Sequence, residues 1–590
     1  MKRREFLSCT AAASAAAYAC NAGEQATSDT HDLVLKNGRV LDGAGTPWFE
    51  ADIGLKDGLI NKIGRVDEAR AARIIDVQGL FVSPGFIDVH SHSDTSMFVD
   101  PWMESKIRQG ITTEINGNCG GSAAPLNEET KARAARRMSE EDIDWSTMDG
   151  YLNRLERHRI ALNMGMLVGH GTVRNYVMDG NHGAPTLEQL DEMKNLVREA
   201  MQAGAVGLSS GLAYSPGTYA HTDEVVELAK VAAEYGGIYA THLRDFSSKV
   251  LGWSGEEGSV YQAVDEAIEI GRRSGVRVVQ ISHLSANAPY TTVPNLDEKV
   301  HDLIYKAREE GIDVLVDILP SDWGSVAPWP GRSVFSPAYL ADGRDNLLDR
   351  LRDPAQRAVL KEELLTKSQA EMGFENTTAR LLLIRMGKGD GVWIFPPVNG
   401  RFKNPEYERK TLDVIAEMKG VDLLDALFDL LIEENAEISV ANRIMEDRNS
   451  QLIWSVAMPS TDGGGTAKPG ESTRRVRPSA YSGFSDALVW VREEKLVPLE
   501  DMIRKMTSLP AHALRLRDRG LIKEGFRADI TVFDFENVRS LCTYENDARP
   551  DYPEGIPYVI VNGVTVIDDN ELTEALPGRV VDSRTSGAEH

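Results

Sequence analysis

His90-Ser91-His92 follows the apolar stretch Gly85-Phe86-Ile87-Asp88-Val89, and its spacing suits a metal ion. In an extended strand, side chains alternate faces, so residues two apart point the same way. Two imidazoles on one face can hold a cation between them. The same change, from an apolar run to a polar group and then a loop, recurs along the chain. Cys119 follows Asn116-Gly117-Asn118 and precedes Gly120-Gly121. His242 lies in Thr241-His242-Leu243-Arg244-Asp245, His283 in Ile281-Ser282-His283-Leu284, and Asp462 in Ser460-Thr461-Asp462-Gly463-Gly464-Gly465. Singly, each is an ordinary structural histidine, small apolar thiol or turn aspartate. Their repetition at one kind of position is what suggests a site. His170, in Val168-Gly169-His170-Gly171, ends a strand and could line the pocket, but reads as structural or as a support behind the site, and His182 and His221 as loop residues.

The elements that must position these groups alternate. Strand candidates are Gly85–Ser91, Ile111–Asn116, Ala161–Val168, Ala205–Ser210, Gly237–Thr241, Val276–Ser282, Ile312–Ile318 and Ile453–Met458. Helix-period segments such as Leu187–Ala203, Thr222–Glu234 and Val260–Ser274 lie between them. Eight strand–helix units predict an α/β fold built on a (β/α)8 TIM-type barrel over 84–510. Its active face would be the C-terminal ends of the strands, where the candidate residues stand. Residues 324–450 are too long for one connecting helix and imply an insertion. Within it Trp323–Pro337 reads as a loop over the barrel mouth, and Leu381–Met386 and Val392–Phe395 as extra strands or a ninth barrel strand. The ends, 31–83 and 511–567, are rich in strand signals, with turn dipeptides at Asn37-Gly38, Asp57-Gly58 and Asn562-Gly563. They predict one small β-sandwich domain assembled from both termini.

A chain of 590 residues can bury a large core, and its 51 glycines suit many tight strand-to-helix turns. The net charge of −25 repels phosphate backbones and anionic lipid, which argues against nucleic acid as a partner and for a small molecule. Residues 1–20 read as a targeting segment. Arg3-Arg4-Glu5-Phe6-Leu7 is similar to a twin-arginine export signal, a mild Ala-rich stretch follows, and Ala17-Tyr18-Ala19 is a cleavage pattern. Cys20 directly after it offers a site for a lipid anchor, so the expected location is the periplasm, free or membrane-anchored. Two cysteines then remain in the body, Cys119 and Cys542, too few for a disulfide framework.

The segments Gly85–Asp94, Gly117-Asn118-Cys119-Gly120, Val168–Arg174, Gly207–Leu212, Thr241–Arg244, Ile281-Ser282-His283 and Thr461-Asp462-Gly463, with Met506–Ala511 and Ile556–Gly563, resemble the N-acyl-D-amino-acid deacylases (D-aminoacylases) of the amidohydrolase superfamily. The resemblance covers nearly all of the mature chain, and Cys119 is its most specific element. It implies zinc held tightly by Cys119, His242 and His283, a second, weaker site at His90 and His92 bridged by Cys119, and Asp462 as general base and then general acid. It also implies hydrolysis of an N-acyl-amino-acid-like amide. Thiolate and imidazole suit zinc, and three protein ligands leave a position for water.

The chain departs from this family around the substrate. Where typical members carry a Lys soon after the sixth-strand His, a Tyr-Pro-Tyr after the seventh strand and a His-Pro-Arg after the catalytic Asp, this chain has Leu284-Ser285, Leu319-Pro320-Ser321 and Arg477-Pro478-Ser479. An altered carboxylate site is the expectation. Arg174 and Arg244 are retained as candidate substrate-binding residues, and Arg474, Arg475 and Arg477 are other cations close to the changed segment. Two other readings stay open at this level: a cyclic amide hydrolase of the dihydroorotase or hydantoinase kind, and an exported metal-binding protein without catalysis.

Overall fold

The computed structural model describes residues 30–581 except 135–142, 182, 214, 246–247, 252–256, 285–294, 321–326, 329–333, 336–338, 340–342, 368–371, 373–378, 397–400, 443–453, 471–475 and 544–548. The export segment, Cys9, Cys20, His182, Arg474 and Arg475 lie outside the described residues. Among the described residues, no helix is long and apolar enough to cross a membrane, and Cys119 and Cys542 are free thiols.

Eight parallel strands follow one another in sequence order around a nearly closed barrel. They are Phe86–Asp88, Ile111–Asn116, Asn163–Gly169, Gly207–Gly211, Ile238–His242, Val278–Ile281, Asp313–Ile318 and Ala457–Pro459, called barrel strands one to eight below. Seven of the strands are buried along their whole length, and strand seven is buried from its second residue. This is the expected pattern for a sheet covered on both faces. Amphipathic helices cover it. Leu187–Ala203, Thr222–Glu234 and Val260–Ser274 bury Val197, Leu228 and Ile268, among others, against the sheet. The first of these opens on a capping box, with the Thr186 hydroxyl accepting from Gln189 N–H and the Gln189 side chain accepting from Thr186 N–H.

A second sheet has nine strands. Five come from residues 33–84 and four from 530–572. Leu33–Val40 is its branch point. One edge pairs with Phe49–Lys56, while the other pairs first with Ile74–Asp76 and then with Phe81–Pro84. This fork splays the sheet into two leaves around Leu35, Ile53, Val82, Ile530 and Ile560. Ile530–Phe533 pairs with Phe81–Pro84, so the two chain ends share hydrogen bonds. The last strand, Glu571–Leu572, lies beyond residue 567. Asp57-Gly58 and Asn562-Gly563 form two-residue hairpin turns, as their sequence suggests. Asn37-Gly38 does not: it is a bulge inside one continuous strand. Asn37 takes a left-handed φ of 60° there, and its N–H and side-chain amide donate to Asp52 and Asp76. Side-chain partners thus satisfy an Asn-Gly pair that would otherwise reverse the chain.

The insertion packs around its own core, with Phe335, Leu348, Leu381, Ile394, Leu427 and Phe428 at its centre. Val392–Phe395 is a strand, but it pairs antiparallel with Ser439–Asn442 in a separate three-stranded sheet and not with the barrel. The expected strand at Leu381–Met386 is instead part of the helix Ala379–Arg385. An apolar run without alternation fits either state, and Leu and Arg favour the helix. Most of the expected loop Trp323–Pro337 lies outside the described residues. Ala327–Pro328 forms a short strand of the same sheet.

Candidate active site

The rim is assembled by loops that force unusual backbone. Cys119, His283 and Asp462 have φ of 52°, 33° and 46°, a left-handed region that ordinary residues seldom occupy. Such conformations persist where neighbours over-determine them. Around Cys119 those neighbours are visible. The Gly117 carbonyl accepts from Ser209 Oγ, which accepts from Gly120 N–H at 3.1 Å. A Cβ at Gly117 would lie 2.1 Å from Leu167 O, so only glycine fits this turn.

These turns bring six of the expected residues together. Cys119 Sγ lies 3.4 Å from His90 Nε2, 3.6 Å from His283 Nε2 and 3.7 Å from His242 Nδ1. His242 Nδ1 and His283 Nε2 are 2.7 Å apart. Potential ligand atoms fall into two trios, His90/His92/Cys119 and Cys119/His242/His283, with atoms in each no more than 4.8 Å apart. A tetrahedral zinc separates a thiolate sulfur from an imidazole nitrogen by about 3.6 Å, given bonds of about 2.3 and 2.1 Å. The sulfur–nitrogen distances fit that edge. The thiolate and imidazole donors also match zinc in kind. Asp462 completes the cluster. Its Oδ1 is 3.0 Å from His92 Nε2 and 3.5 Å from His90 Nε2, and its Oδ2 accepts from Arg477.

The electrostatics prepare donors that can ligate. Burial opposes the Cys119 thiolate, but His90, His242 and His283 outweigh it and hold the thiol well below its usual range. Burial and the neighbouring His283 push His242 down to about 4, which keeps it neutral. Burial also opposes charge on Asp462, yet Arg477, His92 and His90 hold its carboxyl well below the usual carboxylate range. Against partial desolvation, His92, about a third exposed at its side chain, is raised to about 9 by Asp462 and Cys119.

The two arginines expected to meet substrate are engaged elsewhere. Arg174 is fully buried, donating to Glu224 and to Gly183 O at 2.6 Å. Arg244 makes a two-pronged pair with Glu266 at 2.9 Å and also reaches Thr218 O and Ala220 O. Each guanidinium is thus held by a neighbouring carboxylate, with Arg174 fully buried and Arg244 partly exposed. Arg477, by contrast, stands against Asp462, donating also to its main-chain carbonyl at 2.6 Å. His170 Nε2 lies 2.8 Å from Glu224 Oε1, the carboxylate that Arg174 also meets. His221 immediately precedes the helix Thr222–Glu234.

Sequence reasoning passed over the groups behind the rim. Asp317, fully buried in barrel strand seven, accepts from His90 Nδ1 at 3.1 Å and His283 N–H at 2.9 Å. It orients two candidate ligands at once, the usual task of a carboxylate behind a metal-binding histidine. Asp88, Lys106 and Glu114 form a second buried group. A charged residue inside an otherwise apolar strand, as in Val314-Leu315-Val316-Asp317-Ile318, is the signal that could have found Asp317.

An amidohydrolase-family profile matches residues 73–322 and 469–567. The chain is 31% identical over 568 residues to an N-acyl-D-glutamate deacylase of Alcaligenes xylosoxydans xylosoxydans, covering 94% of this chain and 98% of that one. It is 30% identical over 560 residues to a D-aminoacylase of the same organism, covering 94% and 99%. The crystal structure of an N-acyl-D-glutamate deacylase from Bordetella bronchiseptica, complexed with zinc and a phosphonate inhibitor mimicking the tetrahedral intermediate, superposes with a TM-score of 0.70 at 28% identity. It covers 94% of this chain and all of that one. By fold, by sequence along nearly its whole length and by a cysteine-containing cluster on the barrel rim, this chain belongs to the amidohydrolase family, in its N-acyl-D-amino-acid deacylase branch.

Proposed function

We propose that this protein is a zinc-dependent hydrolase of linear amides that removes the acyl group from an N-acyl-amino-acid-like substrate whose carboxylate is bound differently from that of its relatives. The observation that carries the reading is the placement of the Asp462 carboxylate against His92 and His90, beside a depressed Cys119 thiol. Cys119, His242 and His283 would hold zinc tightly, and His90 and His92 would form a weaker second site sharing Cys119. Zinc, when bound there, supplies a Lewis acid for the amide carbonyl and lowers the pKa of water. Asp462 takes the proton of the attacking water on its carboxylate. It then returns that proton to the departing nitrogen, so that a neutral amine leaves. Asp317 keeps the His90 ring turned toward the cluster by holding Nδ1, and the rim fixes base and ligands in one geometry.

The altered carboxylate site rests on the replaced segments. Ser479, where the family's motif ends in Arg, is buried and donates to Thr461 O at 2.8 Å, so it offers no cation. Leu284 is likewise buried. Export to the periplasm, with Cys20 as a lipid site, is proposed from the Arg3-Arg4 segment and the Ala17-Tyr18-Ala19 pattern. The test of function is a hydrolysis screen of D- and L-configured N-acyl-amino acids and dipeptides, with metal analysis of the same samples. Hydrolysis of linear amides by zinc-containing protein is expected. Zinc-loaded protein inert to every amide would refute catalysis. A kcat/KM of about 10⁴ M⁻¹s⁻¹ or more on simple N-acetyl-D-amino acids would end the altered-pocket idea.

A further inference from the structure

Side chains and the single main-chain bond from Asp462 N–H to His90 O, with no strand ladder, join the first and last strands of the barrel among the described residues. Among the described residues, barrel strands one and eight share no pairing. Asp88, at the end of strand one, bridges them. Its Oδ1 accepts the backbone N–H of His90 at 3.2 Å and of Thr461 at 3.1 Å. Its Oδ2 accepts the Thr461 hydroxyl at 2.5 Å and Lys106 Nζ at 3.0 Å. A carboxylate has about four acceptor positions, so Asp88 is saturated. Lys106 comes from a third element, the short helix Glu104–Ile107, and donates to Thr461 Oγ1 as well. Lys106, Asp88 and Thr461 are all fully buried. The residue after Thr461 is Asp462, whose N–H donates to His90 O at 2.8 Å.

We propose that Lys106 is a positioning residue: clamped to Asp88 and Thr461, it sets the Asp462 carboxylate against His90 and His92 across the barrel seam. The role rests on the reading of Asp462 as the base. A buried ion pair adds little net stability, because desolvation offsets its attraction. This pair lies where no ladder among the described residues fixes the register of the two strands, and Asp462 N–H to His90 O and Ser91 Oγ to Gly463 O at 3.2 Å tie the segments beside it. Without Lys106 the Asp88 carboxylate loses its cation and Thr461 Oγ1 loses a donor, and the segment carrying Asp462 is freer to slide along strand one.

The test uses Lys106→Met, Thr461→Val and Thr461→Ser in the full-length protein. Thr461→Val keeps the ion pair, so it remains informative where Lys106→Met fails to fold. Backbone hydrogen exchange is followed in peptides spanning 86–94 and 457–465, and in 111–116 and 163–169 as controls. The seam peptides should lose about 10-fold or more of their protection in Lys106→Met and Thr461→Val, while the controls keep theirs. On a hydrolysed substrate, kcat should fall about 10- to 100-fold with KM within about 3-fold. Thr461→Ser should restore both. Unchanged seam protection in Thr461→Val, protection lost evenly from all strands, or Thr461→Ser as impaired as Thr461→Val would each overturn the proposal. A wild-type protein that hydrolyses no amide would overturn the deacylase reading instead, and the exchange comparison would still decide the role of Lys106.

Discussion

Replacing Asp317 by Asn should weaken zinc binding while leaving the fold intact. The carboxylate serves four donors: His90 Nδ1 at 3.1 Å, His283 N–H at 2.9 Å, the Ser460 hydroxyl at 3.0 Å and Gln280 Nε2 at 2.7 Å. The first three converge on Oδ1, which an Asn carbonyl reproduces. The new amide nitrogen replaces Oδ2 and meets Gln280 Nε2, donor to donor. Among the described residues, however, Gln280 Oε1 is buried without a hydrogen-bond partner, so turning the Gln280 amide over supplies the missing acceptor and gives up only the long 3.4 Å bond from Nε2 to Val89 O. What Asn removes is the negative charge behind His90. Losing such a partner costs about 10- to 100-fold in metal affinity or activity, or about 1.4 to 2.7 kcal/mol. Asp317→Ala differs in kind. It strands His283 N–H, the Ser460 hydroxyl and the Gln280 amide at about 1–3 kcal/mol each, a sum of about 3–9 kcal/mol, comparable with the total stability of a domain. Chelator competition gives the zinc affinity, and thermal unfolding of the metal-free protein gives the stability. Zinc affinity within about twofold of wild type in Asp317→Asn, or equal stability of the Asn and Ala variants, would refute this account.

Asp462→Asn should keep its zinc and lower kcat by about 10²- to 10⁴-fold. Steady-state kinetics beside metal analysis checks this, and full activity would place the proton transfer elsewhere. Cys119→Ala removes the sulfur common to both ligand trios, so tight zinc and activity should disappear together. Zinc surviving gel filtration at wild-type stoichiometry would contradict the assignment. In metal-free protein the unfolded chain protonates His242 near pH 6.5, while the folded chain resists until about 4. Stability from this group should therefore fall as pH drops from 6.5 toward 4. His92 acts oppositely. Raised to about 9 in the fold, its contribution is full below 6.5 and lost as pH rises through 9. Unfolding temperatures across pH, after chelation, should accordingly decline on both sides, and a flat profile would count against both assignments.

Most barrel strands could be located because they are short apolar runs ended by a polar residue or glycine, whereas Ile111–Asn116 and Gly207–Gly211 are largely polar or small and were placed by their spacing between helices. Leu187–Ala203, Thr222–Glu234 and Val260–Ser274 carry a clean helical stripe, and their observed limits coincide with the expected ones. Leu381–Met386 has no alternation to separate helix from strand, and only the insertion's own core decides. Asn37-Gly38 reads as a turn locally, but Asp52 and Asp76, remote in sequence, make it a bulge. The rim residues were legible because each stands at or just beyond the end of a strand, His90 and His92 sharing the first. Asp317 and Lys106 were not, because a buried carboxylate or ammonium shows its purpose only beside its partners. Arg174 and Arg244 illustrate the same limit: their carboxylates, Glu224 and Glu266, sit on neighbouring helices.

The pairing of Phe81–Pro84 with Ile530–Phe533 has a consequence for biosynthesis. A ribosome must deliver almost the entire polypeptide before this early strand can find its mate. The nascent amino-terminal hairpins wait with one edge bare, a condition that invites mispairing with other chains. Overexpression should therefore favour aggregates when translation is truncated between residues 478 and 530, even though every residue of the proposed catalytic rim has by then been made.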